Sequence, residues 1–154
     1  AMNGKEEAYE LRKLFWTSFG KFMKRHKSAD FTKVNWMNYK TGAKDLYFRL
    51  EANKRSAKIC VDLQMEDSGI REIYYAQFKE VKGVFHDLTG FEWDWNENFT
   101  NEYNVTLSRL SISIDRVNMY NKDNWQTIFE FYEKYLIGLD AFWVEFKDLF
   151  KQLE

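Results

Sequence analysis

Glu51, Lys58 and Asp62 fall close together in the chain, two carboxylates flanking a lysine. Carboxylates so placed can hold Mg²⁺, and a neighbouring ammonium can support the attacking water, the chemistry of metal-dependent phosphodiester cleavage. A second set of residues suits binding rather than cleavage. The stretch "NWMNYKTGAKDLYFRL", Asn35 to Leu50, carries Trp36 and Tyr39 three residues apart, so that in a turn of helix they would share a face and stack a base. Lys40, Lys44 and Arg49 add positive charge, and Thr41-Gly42 offers a tight turn with free backbone N–H groups for a phosphate. Arg12, Lys13 and Arg109 complete the candidate ligand-binding set. The same aromatics would equally close the edge of a core while the Asn and Thr side chains satisfy loop backbone. The glycine spacing of the nucleotide-binding loops is missing.

These residues need elements to hold them. Apolar Ala8, Leu11, Phe15, Phe19, Phe22 and Met23 recur at steps of three and four, predicting a helix over 5–27 with Asn3 as its cap and a basic run, Lys24 to Lys27, at its C-terminus. Leu46, Phe48 and Leu50 alternate with Tyr47, Arg49 and Glu51. Ala57, Ile59, Val61 and Leu63 alternate with Lys58, Cys60, Asp62 and Gln64, and Asn53 to Ser56 between the two runs predicts a hairpin turn. A second helix is expected from about Asp67 to Leu88, ended by Gly90. A short strand is expected through Phe91, Trp93 and Trp95, and a longer one from about Tyr103 to Val117. The apolar positions from Trp125 to Leu153 predict a helix of about eight turns, capped by Asn121 or Asp123, with Gly138 marking a kink or a close packing.

The order helix, hairpin, helix, hairpin, helix predicts an α+β fold: an antiparallel sheet of about four strands with three long helices packed on one face. The other face would display Tyr47, Arg49, Glu51, Lys58, Cys60, Asp62, Gln64, Arg109, Ser111, Ser113 and Asp115, either as a solvated surface of ion pairs or as a platform for a ligand. The long aromatic stripe of the last helix leads us to expect a homodimer.

The 154 residues suit one domain, expected over 3–154, with Ala1 read as a cloning remnant before the start residue Met2. The aromatic content, 19%, supplies a core, and no proline interrupts the elements. One cysteine, Cys60, excludes an internal disulfide and fits a cytoplasmic protein. No apolar run approaches the ~20 residues needed to cross a bilayer, so no membrane partner is expected. The spacing of His26, His86 and Cys60 offers no zinc site, and no other cofactor is expected apart from Mg²⁺ in the nuclease reading. The net charge of −1 conceals a division: residues 1–58 hold 14 Lys/Arg against 6 Asp/Glu, and the remainder is acidic. A basic third of this kind can mark a surface for nucleic acid, or it can cancel against an acidic helix lying beside it.

The segments "LRKLFWTSFGKFM", "NWMNYKTGAKDLYFRL", "AKICVDL", "VNMYNKDNW" and "LIGLDAFW" resemble a bacterial family catalogued as domain of unknown function 4268. The resemblance covers nearly the whole chain. It implies a genomic or nuclease context, in which longer relatives carry a similar domain behind a nuclease-like domain of the restriction-endonuclease type. In such enzymes a lysine stands where this chain has Gln64. The expected function is therefore a binding or accessory module, acting on nucleic acid through the basic N-terminal third. The alternatives are a metal-dependent nuclease and a protein-interaction subunit.

Overall fold

A computed structural model describes residues 3–154; the reading of Ala1 and Met2 lies outside the described residues. The first helix, α1 (Gly4–Met23), begins where the sequence asks it to. The Asn3 side chain accepts the Glu6 backbone N–H at 2.8 Å and Glu6 reaches back to Asn3, a reciprocal cap. Phe15, Phe19 and Met23 bury one stripe of it. The helix stops at Met23, one turn short of the expectation, so the basic run Lys24–Lys27 opens a long connector instead of finishing the helix.

That connector leads into β1 (Leu46–Ala52) and β2 (Ser56–Leu63), paired antiparallel with Leu46 opposite Leu63. Asn53 makes the expected turn, its side-chain oxygen accepting the N–H groups of Arg55 and Ser56. After the second hairpin, β3 (Asp94–Thr100) and β4 (Thr106–Asp115), the sheet is complete, wholly antiparallel in the order β1-β2-β4-β3. Leu46, Phe48, Ala57, Ile59, Val61, Leu63, Leu110 and Ile112 line one face and merge with the helices into one core.

Three expectations need correction. The helix foreseen over 67–88 is two helices, α2 (Ser68–Glu80) and α3 (Lys82–Thr89), because Val81 leaves helical geometry at φ −105, ψ 20. The break re-aims α3 onto the last helix. Among the described residues the fold thus carries four α-helices, in the order helix, hairpin, helix pair, hairpin, helix. The strand foreseen at 91–95 begins later, at Asp94. Phe91 is 75% exposed and Trp93 is tied back to the Thr89 carbonyl through its indole N–H, so of the three alternating aromatics only Trp95, paired with Leu110, lies in the strand. Tyr103 likewise sits in the β3–β4 turn.

After a single 3-10 turn at Lys122–Asn124, for which Asn121 is the cap, α4 (Trp125–Lys151) runs under the sheet. Its inward stripe includes Ile128, Tyr132, Leu136, Leu139, Phe142, Trp143 and Phe150. Gly138 resolves to close packing: a methyl group there would overlap the backbone carbonyl oxygen of Leu88 in α3. Gly138→Ala sets a helix-propensity gain of about 1 kcal/mol against an overlap with main chain that cannot swing aside, and overpacking costs about 1–3 kcal/mol. The variant is expected to melt several degrees lower in a thermal unfolding scan, with far-UV circular dichroism unchanged at room temperature.

Candidate functional site

The connector between α1 and β1 has few backbone bonds of its own, and side chains of the core fix its path. Asp140, on the buried stripe of α4 and 2% exposed, accepts three hydrogen bonds from it: Ser28 Oγ at 2.8 Å, the Ala29 N–H at 2.7 Å and the Tyr39 hydroxyl at 2.6 Å. Trp143 Nε1 donates to the Thr41 carbonyl at 2.8 Å, and Trp36 Nε1 donates to the His26 carbonyl at 3.1 Å. Burial, and then the hydrogen bond and charge of Asp140, push the Tyr39 phenol well above its usual value of 10.0. It therefore stays a neutral donor.

So anchored, the connector forms two adjoining clefts that share Lys33, Val34 and Asn35. One, of about 600 Å³, lies against the end of α1 and is lined by Lys21, Lys24, Lys27 and Lys33 with His26, Trp36 and Met37. The other, of about 220 Å³, is lined by Lys33, Lys40 and Lys147 with Tyr39 and Asn38. Asp30 is the one acid lining either, and its carboxylate is engaged by the Thr32 hydroxyl and N–H, which hold its pKa below the usual range. Among the described residues every ion pair uses an arginine or His26, and none uses a lysine. The six lysines of this belt are therefore uncompensated by direct partners.

The polar sheet face exists as expected. The register sets Tyr47, Asp62 and Arg109 in one cross-strand row and Arg49, Cys60 and Ser111 in the next. Arg109 grips Asp62 with two bonds, Nε–Oδ1 at 2.7 Å and Nη2–Oδ2 at 2.9 Å; Arg49 approaches the same carboxylate at 3.5 Å, and Glu51 lies 3.5 Å from Arg109. Burial opposes the charge of Arg109, yet the Asp62 bonds overcome it and raise the guanidinium pKa. A cleft of about 530 Å³ over this network includes Lys58, Gln64, Phe99 and Tyr103. Its three cations face three acids, Glu51, Asp62 and Glu102, so it presents no excess of either sign.

For the metal chemistry the arrangement is unfavourable. Asp62 is fully buried and each of its oxygens accepts a bond from the Arg109 guanidinium, with Arg49 3.5 Å from one of them, so a positive charge already faces this carboxylate. Among the described residues no group of three His, Cys, Asp or Glu stands close enough to hold a metal ion. Cys60 is buried, and burial followed by the charge of Glu51 pushes its thiol up, so it remains an unreactive thiol.

The ligand-binding residues chosen from sequence scatter over four places. Arg12 and Lys13 stand exposed on α1, with Arg12 donating to the Tyr120 hydroxyl at 3.2 Å. Lys44 lies by the end of the chain, its backbone N–H donating to Glu154. Arg49 and Arg109 meet on the sheet face, and only Lys40 joins the belt. Trp36, at 5% exposure, packs in the core, and Tyr39 spends its hydroxyl on Asp140, so the stacking pair proposed from sequence is a clasp for the connector. Sequence reasoning missed Lys21, Lys24, Lys27, Lys33 and Lys147. It also missed Asp140, whose signal was a carboxylate four residues after Leu136 and three before Trp143, on the buried stripe.

Asp140→Ala removes one acceptor and leaves three donors without a partner. Hydrogen bonds to a charged group contribute about 1.5–3 kcal/mol each and are not additive, so a loss of roughly 3 kcal/mol is expected in urea unfolding, with protease cleavage appearing first between Lys24 and Lys40. The raised pKa values of Tyr39, Cys60 and Tyr132, each caused first by burial, carry a pH signature. The folded state keeps these protons longer than the unfolded chain, so their stabilisation is whole below the ordinary values of 9.0 and 10.0 and is lost as pH rises above them. Melting temperature should fall steadily above about pH 9, and Tyr39→Phe should flatten part of that fall.

The family model described as Domain of unknown function (DUF4268) matches residues 11–147. No curated protein and no solved structure matches the chain.

Proposed function

The chain belongs to the DUF4268 family, whose description names no activity, and from the geometry of this member we propose that it is a nucleic-acid-binding accessory module. The observation that carries the reading is the belt of Lys21, Lys24, Lys27, Lys33, Lys40 and Lys147 around the two clefts of the connector, faced by one engaged acid. Lysines without carboxylate partners keep their hydrated charge for a ligand, and a polyanion gains by displacing its own counterions. Asn35 and Asn38 in the same clefts supply donors and acceptors for sugar or base edges. The balanced sheet face, by contrast, offers no field to draw a phosphate backbone.

The reading supposes backbone recognition, with affinity governed by salt. Fluorescence anisotropy with labelled single- and double-stranded DNA and RNA should show log affinity falling linearly with log salt. Each of Lys24→Ala, Lys27→Ala and Lys33→Ala should lower the magnitude of that slope by about one, whereas Arg12→Ala with Lys13→Ala should move it less. Absence of binding at low salt to every one of these ligands would remove the proposal, as would slopes indifferent to the three lysines.

A further inference from the structure

The sheet has two edges, and they differ. β3 carries a register shift between Asn96 and Phe99, an irregularity of the kind that discourages further pairing. β1 is seven residues of regular strand, "LYFRLEA", with no proline, lysine or bulge to protect it.

The hydrogen-bonding sense of β1 follows from its ends. Gln64 N–H donates to the Asp45 carbonyl and Asn53 N–H to the Ser56 carbonyl, so the odd-numbered residues of β1 bond to β2 and the even-numbered ones face outward. Leu46 is already satisfied on that side, its N–H by Ala43 and its carbonyl by the Thr41 hydroxyl. Phe48, Leu50 and Ala52 remain, and no hydrogen bond to their outward groups is found among the described residues.

We propose that a second copy of this chain docks on this edge, β1 against β1, antiparallel about a two-fold axis at Leu50. Two independent features select that register. It sets Leu50 opposite Leu50 and Phe48 opposite Ala52, so every free amide of both edges finds a partner. A shift by one pair in one direction would call on Leu46, which is occupied, and in the other would leave Phe48 unpaired. The same register places Arg49 of one copy directly opposite Glu51 of the other, twice, on the polar face. The neighbouring registers set Arg49 against Arg49 or Glu51 against Glu51. Opposite charges directly across a strand pair attract and like charges repel, and both side chains have the exposure to respond, 44% for Arg49 and 48% for Glu51. The contact is isologous, as a closed two-fold dimer requires, and it would join the two polar sheet faces into one continuous surface.

Sedimentation equilibrium on the intact chain tests the pairing. The unaltered chain should associate to a dimer. Ala52→Pro removes an outward N–H and leaves the β1–β2 ladder intact, as proline is tolerated on an edge, so it should weaken association by about tenfold or more with little change in melting temperature. Arg49→Glu and Glu51→Arg should each weaken it similarly, and the two combined should restore it, a rescue that a merely structural role for either residue would not produce. A chain that stays monomeric up to roughly 0.5 mM, the range of weak edge contacts, would overturn the proposal. So would a dimer indifferent to Ala52→Pro, or a double variant no better than the singles.

Discussion

The Asp140 carboxylate is the constraint on which the arrangement of the connector rests. It sits where α4 is otherwise apolar, between Leu136 and Trp143, and an ion there is costly to strip of water. Three short hydrogen bonds offset that cost, and all three come from residues of the connector, Ser28, Ala29 and Tyr39. The geometry is therefore mutual. The carboxylate needs the connector as solvent, and the connector, poor in regular structure, needs the carboxylate as anchor. Trp36 and Trp143 extend the same logic: each ring fills the core while its N–H reaches out to a connector carbonyl. The clasp thereby places the connector lysines, Lys24, Lys27, Lys33 and Lys40, beside Lys21 of α1 and Lys147 of α4.

The sheet uses a different device. Its helix-facing side is aliphatic and aromatic apart from buried Ser108, so register on that side is set by burial. On the reverse side Asp62 and Arg109 form a buried pair at the centre, with Arg49, Glu51 and Gln64 around them. A one-residue slip of β2 against β4 would drive the Asp62 carboxylate toward the apolar face and strand the Arg109 guanidinium. The penalty for an unpaired buried charge is several kcal/mol, about 3–5 by analogy with broken buried pairs, so the network specifies alignment even where its net stabilisation is small.

The regular elements were legible in the sequence because their signals are periodic. The β1–β2 hairpin, with the turn at Asn53, follows from strict alternation on both sides, and α1 and α4 from stripes at helical spacing; Asn3 caps α1, whereas Asn121 caps the 3-10 turn ahead of α4 and not the helix itself. The misreadings occur where periodicity imitates something else. Phe91, Trp93 and Trp95 alternate like a strand, but Gly90 at positive φ and the Trp93 tie to Thr89 fold the first of them outward. The α2–α3 break leaves the apolar spacing almost continuous across Val81, so only tertiary packing, the approach of Leu88 to Gly138, reveals it. The candidate site was less legible for a related reason. Aromatic residues in a polar loop look the same whether they stack a ligand or plug a core, and the distinction is whether a buried acceptor such as Asp140 awaits them.

Charge segregation along the chain is the part of the sequence signal that survives folding in altered form. An acidic second half could have neutralised the basic first half point by point. Where it does so the cation is a guanidinium: Arg25 meets Glu133 of α4, and Arg49 meets Asp62. The physical difference between the two cations explains the division. A planar guanidinium is weakly hydrated and matches a carboxylate fork, so it is drawn into pairs at modest desolvation cost, whereas a compact ammonium holds its water and stays outside. Folding thus sorts the basic residues by type. Arg25 and Arg49 are drawn into pairs with acids of the later chain, and lysines are left in excess where α1 ends early and the connector turns back along it. The early stop at Met23 leaves Lys24 and Lys27 in the connector, where they line one cleft with Lys21 of the last helical turn and with Lys33.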